Sequence, residues 1–599
     1  MTAKSPINGD MSLVTFTIKV DGKEIETTYQ VISIDTWVGV NKIPKAQLVL
    51  FDGSAAESTF EISASKIFVP GNKIEIAAGY NQKESVIFMG VIVKQGIEIS
   101  RDQGSKLIVD IIDEAIKMTL ERQNAHFEKI KDSDLIGKLI TANGLKKDVT
   151  ATNNVQPEII QYYTTDWDLM ITRAELNSLV VIVDKGKVSV KKPDTQQAPI
   201  LAVKYGDSIL DLQLEMDAST QYAKSAIKST TWDIDQQKAI ESGPGAVSVK
   251  EQGNISSATL ADVFKVKNVT QQTGGSINKA SLSDWSSAEL LRSMLAKIRG
   301  TVLFQGSALA ETGTTIELAG LGPRFNGTAF ISGVHHSIYS GKWLTRVELG
   351  LSSQWFAATT PDIAAPDASG QLPPIKGLQT GIVKKIAKDP DGEFRVLVTL
   401  PLIKDDDKGL WVRLGTFYAS SNVGALFYPE VNDEVVIAFM NEDPRYGVIL
   451  GSVYSKKNPP PYPVDEKNSR KAIKTKAGLE IIFDDKDNII EFNTPGKQQI
   501  KIDDKGKSIL IQDSNNNKVT LSKSGISLES ASNIKLSAKG DITLDAKANL
   551  KLNAGAKASM TGLQIDHQAK TKFSAKGSAT AEVTASGILT IKGAMVKIN

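Results

Sequence analysis

The sequence predicts a mainly β protein that ends in an intertwined, triple-stranded needle, and three observations carry that expectation. Short runs that alternate apolar and polar residues fill 12–113, 198–233 and 301–352, bounded by Gly, Asn and Asp turns, which is the period-two signature of strands. Helical periodicity is confined to a few short stretches. Beyond Ile526 the apolar residues recur at every second position and, on top of that, at every eighth.

The chain has 599 residues, more than one hydrophobic core organises, so about three to five domains are expected. Lys and Arg number 70 against 68 Asp and Glu, a balance that speaks against a nucleic-acid-binding or polybasic membrane protein. Cysteine is absent, which excludes disulfides, thiolate zinc sites and cysteine nucleophiles together. The start, "MTAKSPINGDMSLVTFTIKV", lacks the basic region and apolar core of a signal peptide, and no stretch holds 18 uninterrupted apolar residues. Cytoplasmic assembly is therefore expected, with any export by another route.

In order along the chain, "LVTFTIKV", "AQLVLFDG", "KIEIAAGY", "SVIFMGVIV" and "LIVDIID" read as antiparallel strands with barrel-like spacing. "DSDLIGKLITANG" predicts a helix with an Asp/Ser cap, apolar Leu135, Ile136, Leu139 and Ile140, and a stop at Gly144. "DWDLMITRAELN" repeats that logic, and "KGKVSVKK" reads as a hairpin arm. Residues 240–280, rich in Gly, Ser, Thr and Gln, read as loop or weak strand. "SDWSSAELLRSMLAKIRG" predicts a helix capped at Ser283 or Asp284, with a stripe of Leu290, Leu291, Met294, Leu295 and Ile298, ending at Gly300. The Pro- and Ala-rich 361–376 is a linker, 377–456 a compact β domain and "KKNPPPYP" opens a connector over 457–470. From 471 short strands alternate with turn clusters such as "DDKDN", "TPGK" and "DSNNNK".

"NIKLSAKGDITLDAKANLKLNAGAKASM" (533–560) has helix-forming composition, yet its even-numbered apolar residues would be scattered around a helix and share one side of a strand. Periodicity therefore outweighs propensity. Ile526, Ile534, Ile542, Leu550 and Ala558 form one column at spacing eight; Leu528, Leu536, Leu544, Leu552 and Met560 form a second. Ala538, Ala546 and Ala554 make a third, and Gly540, Ala548 and Ala556 a fourth. From Leu563 the pattern moves to odd positions, with Ile565, Phe573, Ala581 and Leu589 in one column and His567, Ala575, Val583 and Ile591 in the next; Gly562 is the expected site of an extra residue or bulge. Each repeat offers two bulky and two small inward residues, too little to bury a core alone. Three chains wrapped around one axis solve that problem, and a monomeric solenoid is the alternative.

Within 379–456, "GIVKKIAKDPDGEFRVLVTLP", "GLWVRLGTFYA" and "GALFYPEVNDEVVIAFMNEDPRYGVILGSVYSKKNPPP" resemble the OB-fold barrel of the VgrG family, the spike proteins of type VI secretion systems, related to phage tail spikes. "DPDG" reads as a turn, "RVLV" and "EVVIAF" alternate, and Trp411 reads as a core anchor. "YYTTDWDLMITRAELNSLVVIVDKGKVSV" and "GLGPRFNGTAFISGVHHSIYSGKWLTRVELG" look like parts of the hub that the family shares with phage baseplates, and "GAMVKIN" resembles the needle tip. The resemblance implies a hub of two β-barrel-like domains with helical insertions over 1–360, an OB-fold barrel over 377–456 and a trimeric β-helix, or β-prism, over 471–599. Only "KKNPPPYPVDEKN" separates barrel from needle, where phage relatives carry a lysozyme domain, and the sequence stops at Asn599, so a spike without its own catalytic cargo is implied.

Residue chemistry adds little to this. His335 and His336 are strand neighbours that point to opposite faces, and His126 stands alone. His567 lies in an inward column, where three copies would meet and either hold a metal ion or form a packed or solvated layer. Asp405–Asp407 and Asp484–Asp485 lack the ligand spacing of a calcium loop and read as hairpin turns. No G-x-S-x-G, Walker A or H-E-x-x-H pattern occurs, and no cofactor is expected.

The function expected from sequence is a non-enzymatic homotrimeric spike that caps the inner tube of a contractile injection machine and punctures the target envelope mechanically, meeting the target membrane only then. Its implied partners are its own copies, the inner-tube ring at the hub end, baseplate proteins, and a PAAR-type tip protein, with or without an effector, at Met595, Val596, Ile598 and Asn599. The alternatives are the spike of an extracellular phage-tail-like particle or of a phage, an envelope-degrading enzyme on the same scaffold, and a trimeric adhesin.

Overall fold

Alternation over 14–112 becomes seven strands, and six more from 201–349 join them in one thirteen-stranded sheet. The computed structural model describes residues 3–7, 13–102, 104–403 and 408–598, so the Asp405–Asp407 turn lies outside the described residues. Two units are distinct, Met1–Val453 and Tyr454–Asn599.

In the first unit the strand Gly327–Tyr339 pairs antiparallel with Val31–Gly39 on one side and Lys342–Leu349 on the other, which joins the two halves of the sheet. The sheet carries two cores. One gathers Ile18, Leu48, Ile76, Phe88 and Ile111 from the N-terminal strands and Phe68 from the connection before Lys73–Tyr80; the other gathers Val302, Phe304, Ile316, Ile331 and Val347. Each fully buried side chain of this size stabilises the fold by about 1.5–3 kcal/mol.

A third core sits between the helices Asp132–Ala142 and Asp166–Leu176 and the hairpin Val180–Asp184/Lys187–Lys191. Leu135, Ile136, Leu139 and Ile140 are the buried stripe that the sequence predicts. Its cap differs from expectation. Lys131 occupies the N-cap position without a side-chain bond, because the Asp132 carboxylate is turned to Arg173, Asn177 and Gln156. Thr165 does cap the second helix, accepting from the Asp168 N–H at 3.0 Å.

The helix expected at 283–300 runs over Lys279–Leu295. Asn278 is its cap, accepting from the Ser281 N–H at 2.8 Å, while Ser283 donates to the Gly243 carbonyl and Asp284 accepts from Asn154. Its far end stops short because Ile298–Gln305 is claimed by strands on both sides, Ile209–Met216 and Lys342–Leu349. Gly300 is a mid-strand residue there, at φ +154°, where an added Cβ would sit 1.9 Å from the Gln213 carbonyl oxygen. Residues 240–280 also hold a helix, Ser257–Phe264, capped by Ser256, which accepts from the Thr259 N–H.

Residues 379–452 form a closed five-stranded barrel: Gln379–Lys385, Val396–Thr399, Leu410–Leu414, Gly447–Ser452 and Glu434–Phe439. Val383, Val396, Val398, Val412, Val435, Ile437 and Ile449 fill it. Trp411 is not the expected core anchor. Strand parity turns Val412 inward and leaves Trp411 half-buried on the other side. The "DPDG" turn is locked by Asp389, which accepts the Arg395 guanidinium fork at 2.7 and 3.1 Å and the Glu393 N–H at 2.9 Å; the Arg395 bonds above all hold its carboxyl far below the usual range.

The second unit opens as a ladder of seven antiparallel strands in sequence order, from Arg470–Lys474 to Gly525–Glu529. Residues 530–598 then form neither helix nor strand and pair with no other strand among the described residues.

Candidate trimerisation face and needle tip

The ladder's register assembles a surface that no single strand announces. Ile473 stands opposite Ile481, which stands opposite Phe492, then Ile500, Ile511, Val519 and Leu528. Beside that column runs a second, from Phe483 through Ile490, Ile502, Ile509 and Leu521 to Ile526. Because Ile481 and Phe483 are two apart on one strand, both columns share a face. The opposite face is mixed, carrying Ala472, Ile482, Glu491, Lys501, Leu510, Thr520 and Ser527 in register, with Lys501 and Glu491 paired directly across strands.

This apolar face is open in the single chain. Phe483, Phe492, Ile500, Ile502, Ile509 and Ile511 are each between 37% and 47% exposed, an arrangement a folded chain keeps only where something covers it. Covering such half-exposed side chains stabilises an assembly by roughly 1 kcal/mol each, so on the order of 10 kcal/mol per chain is available here.

Both columns continue into the eight-residue repeat. Leu528 and Ile526, their last members in the ladder, are the first members of the columns that run on to Leu536, Leu544 and Leu552 and to Ile534, Ile542 and Leu550. The backbone bends at 531–532, 539–540, 547–548 and 555–556, once per repeat. Gly540, Ala548 and Ala556, all small, occupy these corners. After a bend at 563 the series resumes at 570–571, 578–579, 586–587 and 594–595. The parity switch is thus a repeat one residue short, not the extra residue or bulge expected at Gly562. Leu536, Leu544 and Leu552 are 68%, 63% and 77% exposed in one chain.

His567 lies beyond this switch, its ring stacked on Phe573 with centroids 6.1 Å apart. One chain supplies a single imidazole there, and among the described residues no group of three or more His, Asp or Glu is arranged to hold a metal ion. Met595, Val596 and Ile598 are exposed at the distal end of the repeat; Asn599 lies outside the described residues. Asp484 ends the strand Glu480–Asp484 and braces the turn after it, accepting from the Lys486 and Asp487 N–H groups, while Asp485 lies in that turn.

The hub histidines are engaged structurally. His335 Nε2 lies 3.0 Å from the Asp35 carboxylate, and its ring stacks on Trp37. His336, on the opposite face, is buried with Nδ1 2.9 Å from Thr345 Oγ1; burial, followed by the neighbouring His335 and Lys185, pushes its pKa down to about 3, so it is neutral. His126 Nε2 meets Glu158 at 2.6 Å. A hub cleft of about 1010 Å³ is lined by Asp132, Gln156, Arg173, Asp284 and Trp285, but Asp132 is already held by Arg173 and Asp284 by Asn154. Burial raises the pKa of Asp284.

The Alg8 N-terminal domain family matches residues 10–340, over half of the chain. The type VI secretion system/phage-baseplate injector OB domain matches 379–454, the closed barrel, and the phage baseplate V C-terminal trimerisation domain matches 489–566, across the ladder and into the repeat. The chain belongs to the Alg8 N-terminal domain family, and with the injector OB domain and the trimerisation domain behind it, it is VgrG-like. It is similar to the spike protein VgrG5 of Pseudomonas aeruginosa, at 25% identity over 132 residues, 21% of this chain and 16% of that one. It is also similar to VgrG3 of Vibrio cholerae, at 30% over 71 residues, 12% of this chain and 7% of the relative; these matches span a small part of the curated relatives' length. Among solved structures, a type VI secretion component of E. coli shares 13% identity over 73% of this chain and 99% of its own, with a TM-score of 0.35. A tail protein of Neisseria meningitidis shares 15% over 59% of this chain and 99% of its own, with a TM-score of 0.42.

A VgrG-like spike protein with a trimerisation domain implies a homotrimer, and the two apolar columns are the surface that a trimer would cover. Sequence reasoning found the columns only from Ile526 onward, where spacing is constant. Upstream, the strands are uniform in length but the turns between them are not, so "LEIIF", "IIEFN" and "QIKID" align only once the register is known. No helix among the described residues is long and apolar enough to cross a membrane.

Proposed function

We propose that this VgrG-like chain forms the homotrimeric spike that caps the inner tube of a contractile injection machine, the type VI secretion apparatus or a phage-tail-like relative. The observation that carries this reading is the pair of apolar columns that the register builds across the ladder and the eight-residue spacing extends through the repeat, open in one chain and satisfied when three chains close around an axis. Residues 1–360 serve as the hub against the tube and baseplate, 377–456 as the barrel below it and 471–599 as the needle. Puncture is mechanical: a rod with its backbone groups paired between chains stays stiff under load. The apolar distal end, with Met595, Val596 and Ile598, is the seat for a PAAR-type tip protein or an effector.

The role is structural rather than enzymatic, and it is supported by the engagement of hub carboxylates and histidines in ion pairs and hydrogen bonds. Two measurements test the reading. Met595→Asp together with Ile598→Asp should leave the trimer intact and weaken tip-protein binding at least about tenfold, the 1.4 kcal/mol expected for losing one good apolar contact; unchanged binding contradicts the tip assignment. Release of muropeptides from peptidoglycan by the purified chain contradicts the structural role. If three His567 rings hold an ion on the axis, metal analysis finds one ion per trimer and His567→Ala abolishes it; otherwise the layer is packing.

A further inference from the structure

The barrel carries an arm whose chemistry the spike reading does not use. Between the strands Leu410–Leu414 and Glu434–Phe439 the chain leaves the barrel as a hairpin, Ala419–Ser420 paired with Val423–Gly424 around a turn at Asn422. It is firmly built. Gly415 N–H donates to the Ile449 carbonyl at 2.9 Å, Ala425 N–H to Tyr418 at 2.9 Å, Thr416 Oγ1 to Ala425 at 3.3 Å, and the Tyr428 hydroxyl to Phe394 at 2.8 Å.

The hairpin is apolar on both faces. Continuing its register places Phe417 across from Leu426 on one side and Tyr418, Val423 and Phe427 on the other. Phe417 is 88% exposed and Leu426 83%. From Leu414 to Pro429 there is no charged residue. Charge depletion with exposed aromatics is the composition of an interface centre, and it lacks the cations that a nucleic acid or an anionic envelope polymer would require.

We propose that this arm packs against a second copy of the same chain, an inter-protomer contact additional to the needle; the proposal rests on the homotrimer reading. Two observations favour a copy over a separate partner. The five side chains offer on the order of 500 Å² of apolar surface, below the roughly 800 Å² per partner that an independent complex needs, so the contact depends on chains already held together. The segment from Ser452 to Arg470 that leads to the trimerisation domain spans at most about 60 Å fully extended, which keeps three barrels at high effective concentration.

The test uses the full chain with Phe417→p-benzoylphenylalanine and, separately, Leu426→p-benzoylphenylalanine, irradiated after its native mass is measured. Covalent dimers and trimers of the chain, in yields independent of protein concentration, are the expected result. A trimer mass with adducts only within one chain, with an unrelated protein added from lysate, or with none at either position overturns the arm contact and leaves the trimer standing. A monomer mass overturns both.

Discussion

Replacing Leu536 by Ala separates a needle made by three chains from a repeat that merely lies exposed. In one chain the Leu536 side chain is 68% exposed, so its truncation there should alter stability by no more than about 0.5 kcal/mol. Enclosed among three chains, the same truncation costs about 2–5 kcal/mol at each copy. Three copies bring that to roughly 6–15 kcal/mol per trimer, treating the sites as additive. Even the lower value raises the dissociation constant more than about ten-thousandfold. The assay is trimer dissociation followed by native mass across a denaturant series, with Lys535→Ala, one residue away on the polar side, as the reference. If Leu536→Ala and Lys535→Ala dissociate at the same denaturant concentration, the inward assignment of the columns is refuted.

Three further outcomes follow from the hub. His336 is held neutral, with a pKa of about 3 below its ordinary 6.5, so the unfolded chain binds the proton first as pH falls. Hub stability should therefore drop by about 1.4 kcal/mol per pH unit between pH 6.5 and 3 from this residue, and His336→Gln should reduce the slope of the unfolding midpoint against pH. Lys297→Met leaves the Glu251 carboxylate without the ammonium now 2.6 Å away and frees the Gln252 and Ile255 carbonyls; a cost of about 3–5 kcal/mol is expected in denaturant unfolding. Gly300→Ala forces a Cβ to 1.9 Å from the Gln213 oxygen, so the strand Ile209–Met216 must shift, at a cost of about 1–3 kcal/mol readable as raised hydrogen exchange in 209–216.

Local patterns that answer to one element were legible in the sequence. The stripe Leu135, Ile136, Leu139 and Ile140 specified its helix, and the octad ruled out a helix despite its Ala and Lys content, although in one chain 530–598 hold no assigned strand. Where a residue had two uses, sequence chose wrongly. Ser283 and Asp284 look like caps but bond to Gly243 and Asn154, which lie more than a hundred residues away in one case, and Asn278 caps instead. Trp411 looks like a core residue by size, yet its parity is set by Val412. Ile298 fits a helical stripe, yet strands on both flanks compete for its backbone.

The candidate face shows the same division. Its half from Ile526 is periodic and was readable; its half from Ile473 to Val519 depends on five turns of unequal length, and only the register reveals that the apolar residues share one side. The arm carrying Phe417 and Leu426 could have been noticed from its charge-free, aromatic-rich run of residues alone.

The claim on which everything else stands is that two open columns become one closed interior shared by three chains. Native mass spectrometry of the full chain tests it most directly. The account predicts a species of three times the 64.6 kDa chain that persists on dilution; a stable species of 64.6 kDa, with its columns still open to water, would contradict it.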